Sequence, residues 1–361
     1  MLELGNFTFS ILLTTFIAVM VALSILVNGL LLKFSRSMGT KNEFEQIRWA
    51  STTKPAFGGI SFYLIFLLSI VFFTIFFPNQ EMLLNKRFLG FFLSVSLGFL
   101  MGLADDAYNT KPFMKFLVQF ICGASFVLSD NVIHIFPWEG LNIFITFFWV
   151  VGLMNSVNML DNMDAITTSV SVVICLGAIM SFAFRGTPIN LDLILLLGVV
   201  SALIGFLYYN WNPSRMYMGD SGSQFLGVFL AGIGVEYFWN APNYYGEFDS
   251  LRQLIVAILV FVVPISDTTT VSINRLLKGK SPFVGGRDHT THHLSYAGLS
   301  DRQVAIVMIA ISMLAMVVGI FVMNNIRNWN TTYSVICGGL FALILGSLYA
   351  TTRISKPKPK A

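Results

Sequence analysis

The sequence has little charge, few cysteines and no basic residue ahead of its first apolar run. Only 11% of the 361 residues are charged, whereas 55% are hydrophobic, 35 are Phe and the mean hydropathy is +0.75. A soluble protein of this length cannot bury so much apolar surface, so lipid must be its solvent. The scarcity of charge therefore predicts a polytopic integral membrane protein.

Cysteine is also scarce, and its three residues lack the spacing of a disulfide framework or a metal site. Cys122, Cys175 and Cys337 lie in separate apolar runs without a common spacing. This pattern excludes a disulfide framework and a cysteine metal cluster, and it indicates small buried side chains. No Lys or Arg precedes the first apolar run and no small-residue cleavage site follows it, which argues against a cleavable signal peptide.

Apolar segments close to membrane length recur along the whole chain, and crossing the hydrocarbon core needs about 20 residues. The sequence predicts an all-α, polytopic helical bundle with about eleven transmembrane helices, in one membrane domain over 1–351 followed by a basic tail over 352–361. The third and fifth spans are short. The predicted spans are 9–32, 57–77, 88–104, 113–129, 141–157, 165–183, 191–208, 222–239, 251–275, 303–323 and 333–351.

The basic residues predict the orientation of this bundle. The first of them, Lys33, follows the first apolar run, and with residue 1 outside, 17 of the 22 Lys and Arg residues fall on cytoplasmic segments. This asymmetry agrees with the positive-inside rule. We therefore expect the N-terminus outside, the C-terminus in the cytoplasm, and all clusters of acids, amides and histidines on the cytoplasmic face. The basic tail is expected to contact anionic membrane lipid.

One polar stretch, residues 210–223, reads NWNPSRMYMGDSGS. Gly219 and Gly222 flank Asp220 and Ser221, so the backbone there can approach a ligand closely. An apolar helix follows at once, and its N-terminal amides are expected to form an anion site. A carboxylate beside an anion site predicts Mg²⁺ bridging Asp220 to a phosphate-bearing substrate. The alternative is a tight turn between two membrane helices.

Asp105 and Asp106 are adjacent carboxylates at the end of the third predicted span. They leave a helix in different directions, so one can act on a substrate while the other orients it or binds a cation. Lys111 and Lys115 follow closely and are candidates for holding phosphate. A solvated loop edge is the alternative.

Asn158, Asp161 and Asp164 have the spacing N-x-x-D-x-x-D. Intervals of three place them on one helical face, as a polar stripe entering a span. Because exposing such a stripe to lipid is costly, it should face a cavity or the membrane interface. An amphipathic interfacial turn without a ligand is the alternative.

Three of the four histidines, His289, His292 and His293, lie in the segment GGRDHTTHH. The segment lacks the Glu of H-E-x-x-H, which argues against zinc-protease chemistry. Together with Arg287, these side chains are expected to donate to diphosphate charge. A pH-sensitive surface loop without a ligand is the alternative.

Two further positions remain open on the sequence alone. Lys54 precedes Gly58 and Gly59 at the start of the second span, where glycines permit close approach of backbone or helices. Asp267, after Pro264 in the ninth span, is the clearest intramembrane acid. It can bind substrate, bind a cation or pair with a neighbouring helix.

Taken together, these motifs resemble those of the polyprenyl-phosphate N-acetylhexosamine-1-phosphate transferases. GLADD (102–106), NMLDNMD (158–164), NWNPSRMYMGDSGS (210–223) and DHTTHH (288–293) occur in the family's order across most of the chain. The family includes bacterial N-acetylglucosamine-1-phosphate transferases and the phospho-N-acetylmuramoyl-pentapeptide translocase. The span layout looks like the N-acetylglucosamine branch.

The resemblance implies a bacterial inner-membrane enzyme with its active site on the cytoplasmic face. Such an enzyme moves N-acetylhexosamine 1-phosphate from a UDP-N-acetylhexosamine to undecaprenyl phosphate and releases UMP. N-acetylglucosamine is the expected sugar, and the reaction is the first membrane step of a surface polysaccharide or another cell-envelope glycan. No nucleic-acid partner is expected, and the oligomeric state stays open, with a homodimer as one alternative.

The resemblance also implies roles for individual residues. Asp220 matches the Mg²⁺ ligand, with Mn²⁺ as a possible substitute, and Asp106 lies close to the metal. Asp105 matches the proposed base, or the residue that positions the lipid phosphate. The substrate-binding set comprises Lys54, Lys111, Asn158, Asp161, Asp164, Asn210, Tyr217, Arg287, His289, His292 and His293.

Within that set, Asn158, Asp161 and Asp164 resemble residues that line the nucleotide-sugar pocket. Asn210 and Tyr217 match positions that contact uracil, and the histidine segment matches a loop that closes over the diphosphate. DHTTHH departs from the family pattern because two residues separate its first and second histidines. The role of His289 is therefore open.

Several functional alternatives remain at this stage. UDP-N-acetylmuramoyl-pentapeptide and a UDP-linked 6-deoxy-N-acetylhexosamine are alternative donors. A secondary transporter is the alternative from another class, but it should carry ionisable residues near the membrane midplane, where only Asp267 is a candidate. An intramembrane metallohydrolase that uses the histidines is a third hypothesis.

Overall fold

The computed structural model describes residues 6–37, 54–77, 83–186, 190–282 and 285–355. Within these ranges the only β-type pairing is an isolated parallel bridge between Ala56 and Tyr217, so the predicted all-helical class is confirmed. The helices are α1 (Asn6–Ser37), α2 (Gly58–Phe76), α3 (Lys86–Tyr108), α4 (Pro112–Leu128), α5 (Glu139–Leu160), α6 (Ile166–Arg185), α7 (Leu191–Asn210), α8 (Gly219–Gly234), α9 (Ser250–Val260), α10 (Val262–Leu277), α11 (Thr290–Tyr296), α12 (Asp301–Asn325) and α13 (Thr331–Ile354).

Eight helices of the described chain are long and apolar enough to cross a membrane, and α9 with α10 adds a ninth if the pair is one bent span. α4 and α8 have only 17 and 16 residues. The chain is therefore a multi-pass membrane protein, while the count of eleven spans and the orientation stay predictions. α3 and α5 have 23 and 22 residues, so the third and fifth helices are longer than their predicted spans.

The predicted span over 251–275 is divided between two helices in the structure. α9 and α10 meet at Phe261 with a bend of 78°. Pro264 explains the break, because in a continuous helix it would lack the N–H for the carbonyl of Val260 and clash with that turn. In the structure Pro264 lies in the first turn of α10, where no intrahelical hydrogen bond is required of it.

α8 is the central helix of the bundle. It is buried along almost its whole length and packs most extensively against α3 and α5. Glycines make this approach possible: a Cβ on Gly102 would lie 2.2 Å from the carbonyl oxygen of Asp220, and a Cβ on Gly59 would lie 2.2 Å from the nitrogen of Gly222. The predicted close approach at Gly59 is confirmed, and the start of α8 is held between α2 and α3.

The polar motifs converge at one end of the bundle, which we call the site end. α3, α5, α7 and α10 end there, and α2, α4, α6 and α8 begin there. The expectation that the four motifs share one face is confirmed by these contacts. The other end, where α3 begins and α6 ends, is called the opposite end.

Candidate active site

Two carboxylates and one ammonium group form the centre of the site end. Nζ of Lys115, on α4, lies 2.5 Å from Oδ2 of Asp105 and 2.7 Å from Oδ2 of Asp220. Asp105 is buried, and its Oδ1 accepts hydrogen bonds from the backbone N–H and the hydroxyl of Thr110. Three helices, α3, α4 and α8, therefore each contribute one charged group to a single cluster.

Asp106 has a different task from its neighbour. Its two carboxylate oxygens accept the backbone N–H groups of Asp220 and Ser221, at 2.8 and 2.9 Å. A carboxylate at this position accepts hydrogen bonds from N–H groups that have no partner within the helix. Its negative charge also interacts favourably with the positive end of the helix dipole. The anion site predicted at the start of α8 is therefore occupied by a side chain of the protein itself. Asp106 fixes the start of α8 and, with it, the carboxylate of Asp220.

The predicted stripe of Asn158, Asp161 and Asp164 on one helical face is wrong, because α5 ends at Leu160. Asn162 donates to the carbonyl of Met159 at 2.9 Å, a local hydrogen bond that competes with continuation of the helix. Of the three predicted residues, only Asn158 lies on the helix, and Asp161 is the residue at its C-terminal cap.

Asn158 belongs to the central cluster. Its Nδ2 donates to Oδ1 of Asp220 at 2.9 Å and to the hydroxyl of Ser223 at 2.8 Å. Asp220 thus has Asn158 on one carboxylate oxygen and Lys115 on the other. This arrangement holds the Asp220 carboxylate in one orientation.

Asp164 organises a second cluster. Its carboxylate accepts from the backbone N–H of Ser214 at 2.9 Å, from the Ser214 hydroxyl at 2.6 Å and from Nδ2 of Asn212 at 3.1 Å. Nζ of Lys54 lies 3.7 Å from the same carboxylate and 5.2 Å from the ring centre of Tyr217. Lys54, Asp164 and Tyr217, predicted separately, therefore lie side by side.

Asn210 supports the loop between α7 and α8. It is buried; its Oδ1 accepts from the backbone N–H of Ala165 and the hydroxyl of Thr168, and its Nδ2 donates to the carbonyl of Met216. These contacts fix the loop that carries Tyr217. The predicted contact of Asn210 with a base stays a prediction.

A third cluster joins α10 to the histidine segment. Asp267 is fully buried, and Nδ1 of His289 lies 2.8 Å from its Oδ2. Its Oδ1 accepts from the backbone N–H and the hydroxyl of Thr290, at 2.8 and 2.6 Å. Asp267 therefore pairs with a neighbouring element, one of the alternatives that the sequence left open, and it fixes the start of α11.

The same segment contacts the α5–α6 turn and two other helices. The hydroxyl of Thr291 donates to Oδ1 of Asn162 at 2.6 Å. Nδ1 of His293 lies 2.9 Å from the hydroxyl of Ser355, beyond the end of α13. Arg275 forms two hydrogen bonds with Asp288, at 2.7 and 2.9 Å. Although burial opposes the shift, these bonds and the Arg275 charge hold the pKa of Asp288 below its usual range.

His292 is buried beside His289. Burial lowers the pKa of His292 to about 3, and the neighbouring His289 adds to the shift. His292 is therefore neutral at physiological pH, so it can exchange hydrogen bonds with a diphosphate but adds no positive charge to it. Burial likewise lowers the pKa of His293.

Two predicted substrate-binding residues do not join these clusters. Lys111 is exposed at the cap of α4, and the exposed Arg287 contributes its carbonyl to a hydrogen bond from Tyr296. Lys115, a candidate for holding phosphate on the sequence, connects α4 to both carboxylates of the centre. Asn162 was not among the predicted site residues, although it connects two elements of the site. The signal for Lys115 is that it is the one basic residue in the otherwise apolar helix α4.

The donor set at the centre fits Mg²⁺. Asp105 and Asp220 already share one positive charge, the ammonium of Lys115, so their oxygens converge on a position that suits a cation. Within the described residues, no three His, Cys, Asp or Glu side chains are grouped to hold a metal by themselves. Mg²⁺ commonly binds one or two carboxylates and takes its remaining ligands from water and substrate phosphate. The site matches that mode.

Comparison with known proteins agrees with this geometry. The model of glycosyl transferase family 4 matches residues 88–238, from α3 to the turn after α8. The chain is 30% identical over 316 residues to the phospho-N-acetylmuramoyl-pentapeptide-transferase of Staphylococcus aureus (strain JH9), covering 81% of this chain and 91% of that protein. The chain belongs to the polyprenyl-phosphate N-acetylhexosamine-1-phosphate transferase family.

A second relative represents the other branch of this transferase family. It is named "Probable undecaprenyl-phosphate N-acetylglucosaminyl 1-phosphate transferase", from Bacillus subtilis (strain 168). The identity is 27% over 259 residues, which are 69% of this chain and 69% of the relative. Membership makes the chain a phosphoglycosyltransferase, and the resemblance of its motifs is confirmed at the level of the family.

Proposed function

We propose that this transferase moves N-acetylglucosamine 1-phosphate from UDP-N-acetylglucosamine to undecaprenyl phosphate and releases UMP. An oxygen of the lipid phosphate attacks the β-phosphorus of the donor, and the bond from that phosphorus to the oxygen of UMP breaks. One phosphoanhydride replaces another, so no further energy source is required. The names of both relatives support the transfer class, and that of the Bacillus subtilis relative supports the sugar.

The observation that carries the proposal is the convergence of Asp105, Lys115 and Asp220 within hydrogen-bond distance. Bound Mg²⁺, held by Asp220 with Asp106 close by, would neutralise charge on the diphosphate. Lys115 supplies a mobile donor: when a phosphate oxygen enters, its ammonium can leave one carboxylate and bind the phosphate. Asp105 would then be available to the lipid phosphate, either as a base or as the group that positions it.

The second cluster is proposed to bind the nucleotide. Lys54 places an ammonium group beside the aromatic ring of Tyr217. Asp164 holds the two side chains together through its contact with Lys54 and its hydrogen bonds to the α7–α8 loop. A base can stack on such a face while its polar edge meets amides and carboxylates. Asn158 and Asp161, at the end of α5, would line the path from this cluster to Asp220.

The histidine segment is proposed to close over the diphosphate. Asp267 fixes His289 through Nδ1, which directs the hydrogen of that nitrogen to the carboxylate and leaves Nε2 for a ligand. Thr291 couples the segment to Asn162, next to the residues proposed to line the sugar-nucleotide pocket. Binding at one cluster therefore constrains the other.

The architecture suits one water-soluble and one membrane-bound substrate. A polyprenyl chain cannot leave the bilayer, whereas a UDP-sugar is soluble, so the two must meet where helix ends reach water. The site end offers that position. We infer that it faces the cytoplasm of a bacterium, at the inner membrane, because most basic residues lie on segments of the same parity.

The experiment that tests the proposal supplies purified protein with UDP-[¹⁴C]N-acetylglucosamine, Mg²⁺ and undecaprenyl phosphate. The expected result is organic-extractable label and an equal amount of UMP, both absent without the lipid. Label that is taken up by proteoliposomes but stays water-soluble would instead favour the transporter alternative.

The identity of the sugar is a separate question. A panel of UDP-N-acetylglucosamine, UDP-N-acetylmuramoyl-pentapeptide and a UDP-linked 6-deoxy-N-acetylhexosamine, each at equal concentration, separates the alternatives by kcat/KM. We expect the first to be preferred, and a preference for either other donor would overturn the choice of sugar without affecting the reaction class.

A further inference from the structure

The opposite end of the bundle contains two adjoining cavities. It lies about 35 Å from the site end along the 23 residues of α3, at about 1.5 Å per residue. The cavities have volumes of about 420 and 220 Å³, and Arg87 and Glu236 line both. Arg185 lines the larger cavity, while Asp192 and Tyr237 line the smaller. None of these residues belongs to the transfer site.

The charged side chains of these cavities form no ion pairs with each other in the part of the chain that the structure describes. Among the described residues, no ion pair joins Arg185, Asp192 or Glu236 to any partner. Tyr237 is only 2% exposed, and its hydroxyl has no hydrogen-bond partner in the described chain. Nε of Arg185 is likewise buried without a partner, and the guanidinium lies 4.9 Å from the ring centre of Tyr237. Buried groups of this kind are destabilising unless ordered water or a ligand satisfies them.

Local backbone geometry places two of these groups. Glu236 and Tyr237 lie in a π-helical turn, Val235–Trp239, that continues α8. Turns of this kind are rare and occur frequently at functional sites. The π-helical turn therefore distinguishes the opposite end of α8 from an ordinary helix end.

The charges indicate what kind of ligand fits. Two guanidinium groups and two carboxylates line the cavities. A simple anion would bind only the guanidinium groups, and a simple cation would bind only the carboxylates. A zwitterion matches both pairs. We propose that the cavities bind a phosphate ester that carries a primary amine: the phosphate contacts Arg87, Arg185 and Tyr237, and the ammonium contacts Asp192 and Glu236.

Phosphoethanolamine has this chemistry, and it can come from two sources. The ends of membrane-spanning helices lie at the level of lipid headgroups, so phosphatidylethanolamine of the membrane can supply it. Free phosphoethanolamine carries the same groups without the acyl chains. If the headgroup alone is sufficient, free phosphoethanolamine binds in the absence of lipid. If the acyl chains are also required, only phosphatidylethanolamine binds.

Native mass spectrometry of the purified full-length protein tests the proposal. The protein is titrated separately with phosphatidylethanolamine, phosphatidylcholine, phosphatidylglycerol and free phosphoethanolamine. The expected result is a preference of about 10-fold for phosphatidylethanolamine over the two other lipids, because only it offers N–H donors and a phosphate together. Binding of free phosphoethanolamine would also support the proposal, and it would identify the headgroup alone as sufficient. Equal binding of all three lipids would overturn it.

Three variants make the test specific. Glu236→Gln and Arg185→Gln should each weaken phosphatidylethanolamine binding about 10-fold, and Tyr237→Phe should weaken it by several-fold. Lys86→Gln is the matched control, since Lys86 is an exposed residue of the same end that pairs with Asp130 outside the cavities. Binding that is unchanged in Glu236→Gln and Tyr237→Phe would overturn the proposal.

Tyr237→Phe has a second readout that does not depend on the ligand. In lipid-free micelles its Tm should equal or exceed that of the parent, because the change removes a buried hydroxyl without a partner. With phosphatidylethanolamine present, its Tm should rise less than that of the parent. A lower Tm in the lipid-free protein would show that the hydroxyl has an internal role, and the proposal would fail.

Discussion

At the site end, Asp105 and Asp220 both contact the ammonium of Lys115. At the opposite end, Glu236 shares the larger cavity with Arg185 and Asp192 lines the smaller one, and none of these three forms an ion pair within the described chain. The same types of charged residue thus follow two different patterns in one bundle. Where charged groups are already paired, a substrate must displace an existing partner in order to bind them. The pairing fixes the position of each group before the substrate arrives. Where they are unpaired, a ligand can satisfy them directly.

The first test of the comparison removes the carboxylate charge of Asp220 at the site end. Asp220→Asn should lower kcat on the order of 10³-fold, because it removes the carboxylate proposed to hold Mg²⁺ while keeping the size of the side chain. Electron paramagnetic resonance of Mn²⁺, titrated into the protein with UDP-N-acetylglucosamine, should show a matching loss of bound metal.

The control for Asp220→Asn is Asp130→Asn, an exposed carboxylate of the opposite end that pairs with Lys86. It should leave both turnover and metal binding unchanged. Retention of full activity by Asp220→Asn would rule out the metal assignment.

Lys115 is the next target. Lys115→Gln leaves two carboxylates facing each other without a cation and removes the donor proposed for a phosphate oxygen, so kcat/KM should fall about 10²-fold. Steady-state kinetics at several concentrations of Mg²⁺ provide the measurement. If extra Mg²⁺ fully restores the rate, Lys115 serves only to balance charge, and its contact with phosphate is excluded.

Asp267 tests whether the histidine segment depends on its buried anchor. Asp267→Asn keeps the size of the side chain but weakens the orientation of His289, and misplacement of this segment should lower kcat by about 10- to 100-fold. Steady-state kinetics measure the change, and an unchanged kcat would separate Asp267 from the transfer reaction.

The smallest expected effect concerns packing. Gly102→Ala places a Cβ 2.2 Å from the carbonyl oxygen of Asp220, so it should lower the free energy of unfolding by about 1–3 kcal/mol. Gly152→Ala is the matched control in another membrane helix, because no atom lies within 4 Å of its Cβ position. Thermal unfolding in detergent measures both variants, and equal Tm values would show that α3 and α8 can separate without cost.

Much of this structure follows from the sequence. The helical membrane class follows from composition, and the grouping of the four motifs at one end follows from the alternation of spans. Asp105 and Asp220 were predicted as functional residues from their motifs, and the structure places them around one cation. These features depend on local pattern and periodicity, which a sequence displays directly.

Other features depend on contacts between distant segments, which periodicity does not encode. The end of α5 at Leu160 depends on the local hydrogen bonds of Asn162, so the regular spacing of Asn158, Asp161 and Asp164 suggested a helix that does not continue. The occupation of the α8 amides by Asp106 joins residues more than a hundred positions apart. The cavities at the opposite end bring together residues of several helices and left no motif in the sequence.

The most direct test of the central claim follows two atoms of the donor. Purified protein is given UDP-N-acetylglucosamine carrying ³²P at the β-phosphorus and ³H in the sugar, with undecaprenyl phosphate and Mg²⁺. The account predicts that both labels enter the organic phase in equal amounts while unlabelled UMP is released. Transfer of ³H without ³²P, with release of labelled UDP, would contradict it, because the sugar would then have left its phosphate behind.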